Sequence, residues 1–415
     1  MNNYNAISSK NPINTLKGIG PYSQTVAFSH YNNLAAQLPI DPKSGEIVSG
    51  GIKTQTKQCF ENIKAIVESI DHDMDDVIRL TIFVKNILDI SIVNEVFATF
   101  FPSYVPTRTI SEVVALPMNA LIQIEALVSH GEGTVPGAPQ KKNLIKVVRN
   151  TDNAPLSSLF SQSVAFSHYN NISAQLPIDS KTGEMINGDL KEQANHCFTN
   201  IKVILESINH TMDDVVKITI FVTNVLDIGN AKEVYLKFFP SYAPALSAVA
   251  VSGLPMGAMV QIEAIVSHGD GTPPQNPSDA CKLVIEANSS DIASECRHSQ
   301  IVGFSHYNHI SAQLPLDPNT GEIVTGGIKC QTEQCLKNIK AILESVDHVM
   351  DDVVKINIAL KNIADIKAVD EVYATFFPGG VPARRTIGVS ALPGDALIQI
   401  DAVASNAEGT PPKSQ

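Results

Sequence analysis

The chain of 415 residues contains no tryptophan and only six cysteines. So few cysteines argue against a fold held together by disulfide bonds. Three of them, Cys59, Cys197 and Cys335, lie on the apolar faces of predicted helices, where a buried thiol behaves as a small hydrophobic side chain. We therefore expect these three to be core residues and not nucleophiles.

Acidic residues outnumber basic ones, which gives the chain a net charge of −12. This excess disfavours binding to nucleic acid or to an anionic membrane through a basic surface. The sequence has no apolar run of the roughly 18 residues that a membrane-spanning helix needs, and its first residues lack the apolar core of a secretory signal. These features predict a globular protein of the cytoplasm.

Motifs for metals and cofactors are also missing. We find no phosphate-binding loop, glycine-rich dinucleotide motif, nucleophile elbow or paired cysteines at zinc-ligand spacing. His30, His168 and His306 each stand alone beside a turn, which favours a turn histidine over a metal ligand or a general base. The sequence therefore predicts neither a metal nor a cofactor.

The chain does contain a sequence pattern that occurs three times. The segment AAQLPIDPKSGEI at residues 35–47 returns at 173–185 and 311–323, with a constant offset of 138 residues. An offset of this length indicates three tandem domains and not a solenoid of short repeats. We place the domains at residues 1–130, 143–268 and 281–406, joined by linkers rich in proline and glycine at 131–142 and 269–280.

Hydrophobic periodicity predicts the same elements in every repeat. The first repeat begins with two strands around a turn at residues 31–33. Further strands are expected before repeats two and three, at residues 144–150 and 282–288. Two helices on one sheet make a two-layer α+β domain, so the second sheet face must stay uncovered or meet another sheet. The remaining elements are helices at 52–70 and 90–101 and strands at 77–85, 107–116 and 121–130.

Two arginines, Arg108 in PTRTI and Arg384 in PARRT, stand at the start of a predicted strand. A guanidinium on an apolar sheet needs an anionic partner, because its charge cannot be buried alone without a large cost. A structural salt bridge and a clamp for a substrate carboxylate both explain these residues. The pattern alone leaves the two explanations open.

Taken in order, the motifs of each repeat resemble the RidA (YjgF/YER057c) family. In the first repeat they are IGPYSQ, AAQLPID, QCFENIKAIVES, IRLTIFVKN, VNEVFATFFP, PTRTISEVVALP and IQIEALVS. The resemblance implies a chorismate-mutase-like α+β fold and, by similarity to the family's homotrimers, an intramolecular pseudo-trimeric barrel with ligand clefts between repeats. It implies hydrolysis of reactive 2-imino acids to 2-oxo acids and ammonia, with no cofactor and no partner beyond this small substrate, in a monomeric chain.

The same resemblance implies roles for residues of the first repeat. The family's carboxylate-binding arginine falls on Arg108, and its tyrosine falls on Tyr22. Its helix asparagine falls on Asn94, with the aromatic Phe97 one turn later, and its backbone donor falls at Ala36.

One departure concerns the glutamate that is thought to position the attacking water. Gln123, Gln261 and Gln399 occupy its place in the three repeats, two residues before a retained acidic residue such as Glu125. A glutamine can hold a water by hydrogen bonds, but it cannot take the proton. An imine is already a good electrophile, so the change leaves the activity open.

The other repeats depart further. Repeat two has Phe160, Lys232 and Leu246 in place of the tyrosine, asparagine and arginine, which is the pattern of a domain that keeps its fold and loses its site. Repeat three keeps the arginine and adds a second one beside it. Its site positions are His298, Ala312, Asp370, Tyr373, Arg384, Arg385 and Gln399.

Several functions therefore stay open. In an imine deaminase, Arg108 and Arg384 would anchor the substrate carboxylate, Gln123 and Gln399 would orient water, and Tyr22 would line the pocket. The alternatives are a chaperone-like or carboxylate-binding protein without chemistry, and a cleft adapted to another imine or carbonyl compound. Ribonuclease activity, which has been attached to the family, is disfavoured by the acidic chain.

Overall fold

The computed structural model describes residues 7–11, 20–129, 147–240, 242–268, 285–287, 298–378 and 382–406, and the predicted linkers lie outside these ranges. Each repeat contains one six-stranded sheet and two long helices. None of the helices in the described ranges is long and apolar enough to cross a membrane.

The sheet of the first repeat shows the strand order that the other repeats share. In that sheet the order is β1-β2-β3-β6-β4-β5, and only the pair β4–β5 is parallel. The elements are β1 (Ser8–Lys10), β2 (Thr25–Phe28), β3 (Tyr31–Leu34), α1 (Ile52–Glu68), β4 (Val77–Val84), α2 (Ile90–Phe100), β5 (Thr107–Glu112) and β6 (Ile122–Ser129).

Repeats two and three have the same order of elements and the same sheet order. Repeat two comprises β7 (Val147–Arg149), β8 (Ser163–Phe166), β9 (Tyr169–Gln175), α3 (Leu190–Ser207), β10 (Val215–Val222), α4 (Ile228–Phe238), β11 (Ala245–Ala250) and β12 (Val260–Ser267). Repeat three comprises β13 (Ile285–Ala287), β14 (Ile301–Phe304), β15 (Tyr307–Gln313), α5 (Gly327–Glu344), β16 (Val353–Leu360), α6 (Ile366–Phe376), β17 (Ala383–Gly388) and β18 (Ile398–Ser405).

The predicted order of elements is confirmed, and so are the extra strands before repeats two and three. Repeat one has such a strand as well, β1, whose short polar sequence SSK carries no hydrophobic signal. The predicted turn was misplaced. It lies at residues 29–30, where Ser29 has the left-handed φ of 49°, and Tyr31 pairs with Phe28 across the hairpin.

The two faces of each sheet have different partners. Alternate residues of β4, such as Leu80 and Ile82, join the core under the helices, where Cys59 of α1 is fully buried as expected. Burial raises the pKa of the Cys59 thiol well above its usual value, which agrees with a core role. Phe83, on the opposite face, packs in a cluster to which all three repeats contribute.

A ring of hydrogen bonds also joins the three repeats. The Tyr31 hydroxyl donates to the carbonyl oxygen of Phe166 in repeat two, and the equivalent tyrosines continue the pattern from repeat two to three and from three to one. The free sheet face that the sequence predicted is therefore covered by the other repeats. The remaining pairs are Tyr169 with Phe304 and Tyr307 with Phe28.

Contacts between histidines of different repeats correct the prediction that each histidine stands alone. The Nε2 atom of His168 lies 3.3 Å from Nε2 of His30 and 3.1 Å from Nε2 of His306. The prediction failed because residues 138 positions apart share no local spacing. They meet only because the three hairpin turns face one another.

Candidate active clefts between repeats

Arg108 lies in a cavity of about 480 Å³ between repeats one and two. It projects from β5, where its backbone N–H donates to the Ser173 hydroxyl of β9 at 2.9 Å and so joins the two repeats. Phe160, Ala174 and Gln261 of repeat two line the same cavity. The arginine of one repeat therefore faces the glutamine of the next, and not that of its own repeat.

The guanidinium of Arg108 is buried and contacts neutral side chains, and Asp179 is a further residue that lines its cavity. Its Nη1 donates to Oδ1 of Asn94 at 2.7 Å, and its Cζ atom lies 5.2 Å from the centre of the Phe97 ring and 6.0 Å from that of Phe160. No carboxylate forms an ion pair with it in the part of the chain that the structure describes. Burial lowers the pKa of this guanidinium to about 10, so it stays charged at neutral pH.

A second cavity, of about 260 Å³, lies between repeats three and one and contains Arg384. Here the guanidinium already has an anionic partner, because Nη1 of Arg384 lies 2.6 Å from Oδ1 of Asp370 on α6. Its Cζ atom lies 4.8 Å from the centre of the Tyr22 ring and 5.1 Å from that of Tyr373. Gln123 of repeat one also lines this cavity.

Ala36 lies in this second cavity, but its predicted role does not fit. Its backbone N–H donates to the carbonyl oxygen of Arg384 at 3.0 Å. That bond ties the two repeats together and occupies the donor that the resemblance assigned to a ligand carboxylate. The correction follows from the edge of β17, which approaches residue 36 closely enough for backbone pairing.

A buried acceptor faces the second cavity. Oε1 of Gln123 is buried and has no hydrogen-bond partner among the described residues. The Thr386 hydroxyl, which lines the same cavity, is also buried and has no hydrogen-bond partner among the described residues. Buried polar atoms without partners are rare in proteins, so both can hold a polar ligand or a water molecule.

Gln399 and Ala312 do not accompany Arg384. Nε2 of Gln399 donates to the carbonyl oxygen of Ala248 at 3.1 Å, which places this glutamine at the interface of repeats two and three. Ala312 follows Ser311, whose hydroxyl accepts from the backbone N–H of Leu246 at 2.8 Å. Both residues therefore belong to the third interface.

That third interface has lost its anion clamp. Leu246, which replaces the arginine, is buried with 3% of its surface exposed. His298 stands where repeat one has its tyrosine, and its pKa is lowered to about 4 by burial and by the nearby charge of Lys232. This interface therefore has no guanidinium at the strand position, and its nearby cation is Lys232 on α4.

The side chain of the retained acidic residue Glu125 forms ion pairs with residues of repeat three. Its Oε1 and Oε2 lie 3.3 Å from Nζ of Lys355 and from Nη1 of Arg385, both in repeat three. Burial alone would raise the pKa of Glu125, but these two cations hold it below its usual value. Glu125 and Arg385 thus form an ion pair between repeats, which gives the added arginine a structural partner.

The sequence interpretation expected each cleft to combine residues of two repeats but left open which repeats share a cleft. The structure places Arg108 with Gln261 and Arg384 with Gln123. Gln261 is the residue that this interpretation left out of the candidate site, although it lines the Arg108 cavity. Its equivalence to Gln123 through the 138-residue offset was the only available signal. The offset does not show which repeats pack against each other.

Comparison with known proteins gives a consistent result for all three repeats. The family model described as endoribonuclease L-PSP matches residues 12–130, 151–268 and 288–406. A RutC family protein of Pyrococcus horikoshii is 47% identical over 114 residues, which are 28% of this chain and 90% of that protein. The human 2-iminobutanoate/2-iminopropanoate deaminase is 36% identical over 113 residues, which are 27% of this chain and 82% of that protein.

Among solved structures, RidA from an Antarctic Psychrobacter species is 37% identical and matches with a TM-score of 0.28, covering 28% of this chain and 96% of that one. Each of these relatives is thus about as long as one repeat. Because the family model matches three times and covers most of the sequence, the chain belongs to the RidA (YjgF) family, with three tandem domains.

Proposed function

We propose that this chain hydrolyses reactive 2-imino acids to 2-oxo acids and ammonia, and that the cleft between repeats one and two is the principal site. The observation that carries the proposal is the buried guanidinium of Arg108, which has no carboxylate partner among the described residues. A guanidinium has five N–H donors, so most remain for a carboxylate in bidentate geometry. The cavity of about 480 Å³ is large enough for a small acid.

The reaction needs modest help from the protein. Arg108 would hold the substrate carboxylate, and Gln261 on the facing repeat would accept a hydrogen bond from the attacking water. The water oxygen bonds to the imine carbon, and its proton reaches the imine nitrogen through solvent, because glutamine cannot take it. The amino group of this adduct takes a second proton from solvent, the C–N bond breaks, and ammonia leaves with the bonding electrons. Loss of the hydroxyl proton to solvent then gives the carbonyl group.

The proposal extends to the arrangement of the three repeats. We infer an intramolecular pseudo-trimer whose sheets enclose a central barrel and which acts as a monomer in the cytoplasm. The ring of bonds from tyrosine hydroxyls to phenylalanine carbonyls supports it, as do the two core clusters that draw on all three repeats. The named activity of the human relative supports the chemistry, since that protein aligns with a single repeat.

Binding of a small carboxylate without chemistry is the second candidate. The glutamines Gln123, Gln261 and Gln399, which stand where a glutamate is expected, favour it. This candidate predicts that 2-oxo acids bind at Arg108 while imine hydrolysis proceeds at its uncatalysed rate.

An assay coupled to an amino-acid oxidase, which generates 2-iminopropanoate in solution, tests the proposal by following loss of the imine. Arg108→Leu should lower kcat/KM at least about 100-fold, because a charge-assisted contact with the carboxylate is lost. The fold already accommodates a leucine at the equivalent position in repeat two, Leu246. Arg384→Leu is the matched control and should keep most of the activity.

Two results decide between the candidates. If Arg108→Leu hydrolyses the imine as fast as the wild type, the site assignment is wrong. If the wild type gives no acceleration but binds pyruvate in a calorimeter, and Arg108→Leu does not bind it, the carboxylate-binding function replaces the enzymatic one.

A further inference from the structure

The three histidines at the hairpin turns form a compact cluster, which we call the histidine triad (His30, His168 and His306). Each side chain is buried, and each comes from a different repeat. One ligand atom from each residue lies within 4.8 Å of the others. The triad is separate from the two arginine clefts, and none of its members lines either cavity.

Two of the three nitrogen separations within the triad match those around a bound cation. Bonds of about 2.0–2.1 Å from zinc to imidazole nitrogen, at a tetrahedral angle, separate two ligand nitrogens by about 3.3 Å. The Nε2 atoms of His168 and His30 are 3.3 Å apart, and those of His168 and His306 are 3.1 Å apart. These two pairs are therefore already spaced as in a coordinated set, and the ligand atoms of the third pair, His30 and His306, lie within 4.8 Å of each other.

Hydrogen bonds between and within repeats fix the backbone around the triad. Phe28 and Tyr31 flank the turn that carries His30, and Tyr31 donates to repeat two while Phe28 accepts from Tyr307 of repeat three. The carbonyl oxygens of His168 and His306 each accept a backbone N–H at 2.7 Å, from His268 and Asn406. A site whose backbone is fixed in this way loses little entropy when it binds an ion.

Backbone strain marks the same turns. The residue before each histidine has a positive φ, an uncommon conformation for a residue with a side chain. A conformation of this kind persists only when the surrounding structure enforces it, and here it recurs in all three repeats. The values are 49° for Ser29, 51° for Ser167 and 50° for Ser305.

We propose that the histidine triad binds one divalent cation of the zinc type, with one imidazole from each repeat and a fourth position for water. Neutral imidazole suits zinc, cobalt, nickel and copper, whereas magnesium and calcium prefer oxygen ligands. Three protein ligands with one open position are the arrangement of a zinc site that can also bind a small molecule. Because the ligands come from three repeats, the ion also cross-links them.

Hydrogen bonding among the rings is the competing explanation. One imidazole can donate from Nε2 to a neighbour, and such a bond also gives nitrogen separations near 3 Å. The two explanations differ in the ring proton, since metal binding needs all three Nε2 lone pairs and hence the proton on Nδ1. A direct measurement of metal binding separates them.

The test is a titration of the full chain with Co²⁺ at pH 7.5, after treatment with a chelator. Cobalt bound by three imidazoles in a tetrahedral site gives visible absorption bands that hexahydrated cobalt lacks, and Zn²⁺ should displace it. We expect saturation at one ion per chain. His168→Asn should weaken binding by about 100-fold or more, because one of three protein ligands is lost.

His309→Asn is the matched control. It removes a buried histidine outside the triad and restores the residue that repeats one and two already have, Asn33 and Asn171. It should bind Co²⁺ as the wild type does. If His168→Asn does not fold, His30→Asn and His306→Asn carry the same expectation, and Zn²⁺ should raise the Tm of the wild-type chain.

The proposal is overturned if the wild type shows no tetrahedral cobalt spectrum with one equivalent of metal. It is also overturned if a triad variant and His309→Asn bind cobalt equally well. Both results would leave ring-to-ring hydrogen bonds as the role of the triad.

Discussion

The clefts that contain Arg108 and Arg384 are built alike but differ in the group that the guanidinium contacts. In the first, the guanidinium donates to the Asn94 amide at 2.7 Å, and in the second it donates to the Asp370 carboxylate at 2.6 Å. Both arginines are buried between aromatic rings. The exchange of one amide for one carboxylate therefore decides whether the buried guanidinium has an anionic partner among the described residues.

This difference has a clear consequence for substrate binding. A carboxylate that enters the Arg108 cleft supplies the anion that the buried guanidinium lacks, and the cost of burying that charge is offset on binding. In the Arg384 cleft the guanidinium already has Asp370 as its partner, so a substrate carboxylate gains less from this contact. Lys367 also lines that cavity, but it is not the buried cation beside the tyrosine, Tyr22.

The interface of repeats two and three is a further variation. There Leu246 replaces the arginine and Lys232 replaces the asparagine, so the positive charge has moved from the strand to the helix. The three repeats thus conserve one architecture while their clefts diverge. On this view, activity is concentrated in one of three equivalent positions.

Exchanging the helix residue of the first cleft should have the largest effect. Asn94→Asp would give Arg108 the internal anion that Arg384 already has, so the substrate carboxylate would have to displace it. We expect kcat/KM for 2-iminopropanoate to fall about 100-fold, equivalent to about 3 kcal/mol of transition-state binding. The oxidase-coupled imine assay measures this change.

Asn94→Ala is the control for that experiment. It removes the hydrogen bond without adding a negative charge, so its loss of activity should be clearly smaller than that of Asn94→Asp. Equal losses in the two variants would show that the amide contact matters and that the charge does not, which would break the comparison between the clefts.

The reverse exchange should open the second cleft. Asp370→Asn removes the internal anion of Arg384 and leaves an amide at the same place, as in the first cleft. Because a hydrogen bond to a charged group contributes about 1.5–3 kcal/mol, pyruvate should bind there at least about tenfold more tightly. Isothermal titration calorimetry should then detect two sites per chain where the wild type has one.

The double variant Asp370→Asn, Arg384→Leu is the control for this experiment. Because it lacks the guanidinium, the second pyruvate-binding site should be absent from its titration. A thermal unfolding curve should accompany these variants, because removing one partner of a buried ion pair destabilises the fold. If pyruvate still binds at one site only in a folded Asp370→Asn protein, an internal anion does not explain the difference between the clefts.

Most of the fold could be predicted from the sequence, since hydrophobic periodicity and the threefold offset locate every long helix and strand. The failures were local. β1 is a strand through pairing with β2 and not through its own polar residues, and the hairpin turn depends on a left-handed serine, Ser29, for which no residue-type signal exists. Tertiary context overrides local propensity in both cases.

Residues of the candidate site could be named from the sequence, but their grouping could not. The family resemblance pointed to Arg108, Asn94 and Phe97, which lie together on one repeat. It could not show that Gln261 completes the cleft, because contacts between repeats depend on how the sheets meet. The same reason hid the histidine triad.

Restoring the missing phenol should have the smallest effect and therefore sharpens the comparison most. Phe160→Tyr gives the Arg108 cleft the hydroxyl that Tyr22 brings to the Arg384 cleft, while the ring keeps its place near the guanidinium. One added neutral hydrogen bond contributes about 1 kcal/mol to a bound ligand, so we expect kcat/KM to change by no more than about fivefold. A gain well above that range in the imine assay would mean that the tyrosine takes part in the chemistry. The advantage of the first cleft would then rest on more than the charge beside its arginine.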